Sequence, residues 1–316
     1  MMTLHTLIEK FLSSYKGVYA PATVKWYENR LKPLEQTLGE KDVDDITIDD
    51  LRALYVSLAE KEQTYTEHPH AGRKPSDKGY SKYSLHAFVR AWKRLFKWAV
   101  EEGHLRISPA AHLQKPRLPQ PNPKVVSREG VVKLQEAALK FSTRPERDYA
   151  IIRFLASTNA RVGGVARLQL TDLDVAHRIA RVREKGRGGS GKVRPVFFDE
   201  ETATALKNWL DVRPKRDDNL VFGLGTAGIY QMLKRIAQKA GLTEPYNPHA
   251  FRHGFAKGVL EQGANLAQVS QMMGHSTPTV TVEYYGQFAT HELQAFYDRY
   301  CWLKDTPPST ATDRED

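Results

Sequence analysis

Between Lys115 and Lys124 the chain reads KPRLPQPNPK, four prolines in ten residues. Each proline fixes φ and removes a backbone donor, so neither a helix nor a central strand can run through the stretch. The pattern predicts an extended, semi-rigid linker over 116–124. It divides the 316 residues into a first domain at 1–115 and a second at 125–303, each long enough for its own core. The last residues, 304–316, are polar and proline-bearing without an apolar period, and read as a disordered tail.

A hydrophobic fraction of 41% with 27% charged residues excludes a disordered or fibrous chain. No apolar run approaches the roughly 18 residues that span a bilayer. The N-terminus, MMTLHTLIEKFLSSYKG, lacks the features of a signal peptide and reads as an amphipathic helix. A cytoplasmic, nucleoid-associated protein without membrane contact is therefore expected. The single cysteine, Cys301, excludes an intrachain disulfide and a thiolate zinc site. His68 and His70, with no cysteine nearby, do not form a recognisable metal site. A net charge of +10 and a pI near 9.5 point instead to a polyanionic partner, because neutralised phosphates release counterions.

The first domain reads all-helical. Apolar residues recur at three- and four-residue spacings around 22–38 and 47–61, where Thr47 and Asp50 form a capping signal. The strongest helix covers 81–103: Leu85, Phe88, Trp92, Leu95, Phe96 and Ala99 make one stripe. Arg90, Lys93, Arg94 and Lys97 leave its other side basic, a candidate DNA-binding face. The second domain is mostly α with a small β-sheet. A helix at 147–159 precedes two strands within 178–198 joined by a glycine-rich hairpin, and helices follow near 201–212, 226–241, 250–263 and 266–275.

Five features of the second domain could carry chemistry, although each alone also fits a plain structural role. Arg161 follows a helix in a turn loosened by Asn159, Gly163 and Gly164. The hairpin from Arg178 to Arg194 holds seven Lys or Arg against one Glu, so it can enter a nucleic-acid groove. Lys185 at its strand end is the best placed for chemistry, with Arg183, Arg187 and Lys192 as further DNA contacts. His249 and Arg252 share one helix face near the positive dipole end, after Pro248 at the first turn. Gly274 reads as a helix C-cap from which His275 emerges. Tyr284 and Tyr285 follow about ten residues later.

Taken in order, Arg161, Lys185, His249-x-x-Arg252, Gly274-His275 and Tyr284/Tyr285 resemble the tyrosine recombinase (phage integrase) family. The blocks RDYAIIRFLASTNARVGGVARLQLTDLD and SPAAHLQKP strengthen the resemblance, which covers most of the chain. Two departures stand out. The family usually has Gly where Asn159 stands, a mild change in a turn. It also has an acidic residue three positions after the first arginine, where this chain has Gly164. Loss of that carboxylate is expected to remove a buttress from the site's basic groups.

The resemblance implies a helical clamp domain and a catalytic domain closing around double-stranded DNA at specific recombination sites. The enzyme would act as a homotetramer on two duplexes, with accessory proteins left open. Arg161 and Arg252 would bind the non-bridging phosphate oxygens, His249 would take the nucleophile's proton, and His275 would hydrogen-bond the phosphate. Lys185 would protonate the leaving 5′ oxygen. Relatives place the nucleophile ten or eleven residues after the glycine of Gly-His, which admits Tyr284 or Tyr285; the paired aromatic before Gly286 favours Tyr285. Because one phosphoester replaces another, no cofactor, nucleotide or metal is expected. A type IB topoisomerase and a non-catalytic DNA-binding regulator on the same fold are the alternatives, the latter motivated by Gly164.

Overall fold

The computed structural model describes residues 1–64, 76–119, 121–184 and 192–274. His68, His70, Lys185, Arg187, His275, Tyr284, Tyr285, Cys301 and the 304–316 tail lie outside these residues. The chain forms two compact units that meet at 120/121, within the proline-rich stretch.

Among the described residues the first unit contains four α-helices: α1 (Leu4–Tyr15), α2 (Pro21–Leu38), α3 (Ile48–Ala59) and α4 (Lys82–Glu101). Local chemistry fixes their starts. Thr3 and Ser81 cap α1 and α4, while Thr47 and Asp50 form the reciprocal box that opens α3. All six residues of the predicted α4 stripe are buried, joined by Val89, Ala91 and Trp98. Burial of side chains this large contributes about 1.5–3 kcal/mol each. The Trp92 indole N–H donates to the Arg30 carbonyl of α2 (3.2 Å), so its polar atom is not stranded inside.

The second unit adds α5 (Arg128–Phe141), α6 (Pro145–Thr158), α7 (Val162–Ala166), α8 (Glu200–Val212), α9 (Thr226–Lys239), α10 (Pro248–Glu261) and α11 (Leu266–Met273). A three-stranded antiparallel sheet, β1 (Leu173–Asp174), β2 (Ile179–Glu184) and β3 (Lys192–Phe197), runs in the order β1-β2-β3. Ile151, Ile152, Phe154, Leu206, Trp209, Leu233 and Phe251 lie at the centre of its core. Among the described residues no helix is long and apolar enough to cross a membrane.

Two local expectations need correction. α5 is absent from the sequence reading because its apolar stripe is blurred: Gln135 is buried while Val132 and Leu139 are exposed. The stretch after Arg161 is not a loose turn. Arg161 is the N-cap of α7, and Gly163 and Gly164 lie inside that helix. Of this stretch only Asn159 has positive φ (51°). Gly164 is small for a packing reason, since a Cβ there would lie 3.2 Å from the Val182 Cβ.

Candidate active site

Asn159 ends α6 in the left-handed conformation, and its carbonyl and side chain both become anchors. Two residues later Arg161 leaves the core with 36% of its side chain exposed. Its backbone N–H donates to Oε1 of Glu184 (3.0 Å), and its guanidinium Nη1 bonds to Oε2 of the same carboxylate.

Strand β2 explains how a carboxylate comes to be there. Successive side chains alternate across a strand, and Ala180, Val182 and Glu184 all point inward. Glu184 is only 4% exposed, and a buried carboxylate must be paired. Val182 stands opposite Arg194 in the ladder, so Arg194 reaches Glu184 diagonally on the same face. Arg194 Nη2 donates to Glu184 Oε1 (3.0 Å) and to Asn159 Oδ1 (3.0 Å), while Nη1 donates to the Met272 carbonyl (2.7 Å). Burial raises the Glu184 pKa, but hydrogen bonds from Arg194 and the Arg161 N–H, with both guanidinium charges, outweigh it. The net result is a carboxyl held below its usual range.

Helix α10 begins at Asn247, whose side chain accepts the His249 and Ala250 N–H groups (both 3.1 Å). Arg252, 5% exposed, donates through Nη1 to the Asn159 carbonyl (2.6 Å) and through Nη2 to the Met273 carbonyl. His249 is solvent-exposed at the first turn. Partial desolvation, then the charges of Arg252 and Arg161, hold its imidazole below the ordinary histidine range. His253 is lowered as well, by desolvation and then by His249 and Arg252. His249 therefore loses its proton more readily than an ordinary histidine, with the charges of Arg252 and Arg161 close by. Helix α11 ends at Gly274 in the left-handed conformation (φ 64°). A Cβ there would lie 3.1 Å from Arg194, so the C-cap read from the sequence is pressed directly onto the ion cluster.

The structure thus brings Arg161, His249, Arg252 and the Gly274 end of α11 around the Asn159 turn. The DNA-contact candidates that the structure describes have partners of their own. Arg183 faces the other side of β2 and pairs with Asp172 (3.2 Å). On α4, Arg90 lies over the Trp26 ring (4.7 Å) and Lys93 donates to the Ala111 (2.7 Å) and Leu113 (3.1 Å) carbonyls. Arg94 binds the Tyr15 hydroxyl (2.7 Å) and Glu101 (3.1 Å). Lys97, 70% exposed, has only a long 3.6 Å pairing with Glu101. Of Lys192 the structure describes the backbone alone, opposite Glu184.

Glu184, Arg194 and the Asn159 side chain were not among the residues the sequence singled out. Glu184 was detectable as the one acid of a basic run, on the inward face of an alternating strand. Its presence bears on the expectation attached to Gly164: the basic groups here do meet a carboxylate, and it comes from β2.

The Phage integrase family matches residues 124–291 of this chain. The tyrosine recombinase XerC of Corynebacterium glutamicum is 30% identical over 306 residues, 93% of this chain and 91% of that one. XerD of Listeria innocua serovar 6a is 28% identical over 218 residues, 65% and 72% of the two chains. The Tn1549 transposon integrase, solved in complex with transposon right end DNA, superposes with TM-score 0.74 at 21% identity, over 95% of this chain and 100% of that one. A lambda integrase dimer bound to a COC′ core site gives TM-score 0.67 at 15% identity, over 90% and 77%. At these identities the structural likeness establishes the fold: mostly helical, with a small sheet in the second unit. The chain belongs to the phage integrase family of tyrosine recombinases and is a site-specific DNA recombinase.

Proposed function

We propose that the protein cuts and rejoins double-stranded DNA at specific sites through a 3′-phosphotyrosyl intermediate. The observation that carries this reading is the convergence of Arg161, Arg252 and an accessible His249 on one turn. The tyrosine hydroxyl, Tyr285 in this reading with Tyr284 as the alternative register, attacks phosphorus. Tyrosine is a weak nucleophile because its ordinary pKa lies near 10, and His249 accepts the proton as the bond forms. Arg161 and Arg252 neutralise charge growing on the non-bridging oxygens, in positions fixed before the reaction. Lys185, next in sequence after Glu184, protonates the departing 5′ oxygen, and His275 hydrogen-bonds the phosphate. Attack by another strand's 5′-hydroxyl returns the proton to the tyrosine and closes the new phosphodiester.

The two units would clamp the duplex, with the α4 basic side chains and the hairpin of Arg183, Arg187 and Lys192 meeting phosphates. A tetramer on two sites performs the exchange in the cytoplasm, with or without accessory proteins. Integration, excision, transposition and resolution of replicon dimers all use this chemistry. The regulator alternative loses its motive, since it rested on the missing carboxylate that Glu184 supplies. The test is covalent capture from a pool of nicked, random-sequence duplexes, followed by mass spectrometry of the DNA-linked peptide. Linkage at Tyr285 is expected; linkage at Tyr284 would move the register, and the absence of any linkage to bound DNA would overturn catalysis.

A further inference from the structure

We propose that Glu184 is the positioning residue for Arg161 and that positions 164 and 184 form an exchangeable pair, either of which can deliver the carboxylate. The inference rests on the proposed role of Arg161 at the phosphate. Glu184 grips Arg161 twice, at the backbone N–H (3.0 Å) and at the guanidinium. A single carboxylate therefore fixes both the direction in which the chain leaves α6 and the direction of the side chain. Arg194 holds the carboxylate in turn (3.0 Å), and Arg194 is anchored to Asn159 and Met272. The lever has no slack, because Glu184 and Arg194 are 4% and 7% exposed.

Position 164 opens onto the same space. A Cβ built on Gly164 would lie 3.2 Å from the Val182 Cβ, 3.6 Å from the Glu184 Cγ and 3.7 Å from the Arg183 carbonyl oxygen. A side chain there points at the pocket that Glu184 fills. Two carboxylates in one buried space repel each other and overfill it. Glycine at 164 and glutamate at 184 are thus complementary: the carboxylate sits on the strand, and glycine on the helix meets the close approach of Val182 and adds no second side chain beside Glu184. Because Glu184 is the last residue of β2, this arrangement ties Arg161 to the end of that strand.

The experiment compares Glu184→Gln, Glu184→Gly, Gly164→Glu and the double variant Gly164→Glu/Glu184→Gly. Each is assayed for single-turnover linkage to the nicked duplex that the wild type captures, for affinity to that duplex, and for thermal melting. Misplacing a reacting group by about 1 Å costs on the order of 100-fold. Glu184→Gln, which keeps the shape and loses the charge, is expected to slow linkage by about that factor with affinity within about threefold. Gly164→Glu alone is slowed too, and the double variant recovers to within about tenfold of the wild type. Linkage by Glu184→Gln at the wild-type rate would overturn the proposal, as would a folded double variant no better than Glu184→Gly. Phenylglyoxal modification of Arg161, mapped by mass spectrometry without DNA, separates this inference from the catalytic reading. If the wild type forms no linkage, catalysis falls while the modification rate still decides the role of Glu184. Faster modification in Glu184→Gln supports the grip, and an unchanged rate refutes it.

Discussion

The two units of this protein treat charge in opposite ways. Among the described residues, the first unit buries one polar side chain, Thr64. Its basic groups are mounted outside an aromatic core: Arg90 on Trp26, Arg94 on the Tyr15 hydroxyl, Lys97 in water. The second unit buries Asp148, Glu184, Arg194 and Arg252. Three of these join α6, β2, β3, α10 and α11 through partners 10 to 93 residues apart in sequence. The comparison teaches that exposed charge can be added to a finished core, whereas buried charge is made part of it. On the function proposed above, the exposed groups serve grip and the buried cluster serves chemistry.

The comparison can be broken most easily at Arg194. Removing one partner of a buried ion pair costs about 3–5 kcal/mol, so Arg194→Met is expected to lower stability by that amount in urea unfolding. A loss below about 1 kcal/mol would show that the cluster is not part of the core. Gly254→Ala comes next. Its Cβ would lie 2.5 Å from the Val126 carbonyl oxygen, where the α5 entrance crosses α10, and overpacking of this kind costs about 1–3 kcal/mol.

The histidines sharpen the contrast through pH. His249 and His253 have pKa values lowered in the folded state, so the unfolded chain binds more protons below the ordinary histidine range. Their contribution is fully present above about pH 6.5, the unfolded value, and is lost as pH falls through the lowered folded values. Melting curves from pH 7.5 to 5 should show a drop that His249→Gln/His253→Gln reduces. The smallest effect belongs to the first unit. Lys97→Ala should change stability by no more than about 0.5 kcal/mol, while lowering the slope of DNA affinity against salt by about one unit.

Legibility in the sequence follows the same divide. The α4 stripe could be read because a 3.6-residue period survives wherever an apolar core faces a polar surface. The Thr47 cap, the Gly274 stop and the His249-x-x-Arg252 pair are likewise local signals, and the structure forms each as a local element. α5 stayed hidden because Gln135 is inside and Leu139 outside. Glu184 and Arg194 were counted only as members of a basic hairpin run. Only the strand's alternation, together with contacts across 10 to 78 residues, turns them into a buried clamp. Gly164 was read as a deficit because its neighbour in space lies 20 positions further along the chain, a distance no local pattern spans.

The central claim is that chemistry resides in the buried cluster and grip in the exposed helix. The most direct test measures DNA affinity and single-turnover linkage in parallel for Arg161→Ala and for Arg90→Ala/Lys97→Ala. The account predicts that Arg161→Ala binds within a few-fold of the wild type yet links on the order of 100-fold more slowly. The α4 variant should bind more weakly as salt rises, and link at the wild-type rate once DNA is saturating. Wild-type linkage by Arg161→Ala, or lost linkage by the α4 variant on saturating DNA, would contradict it.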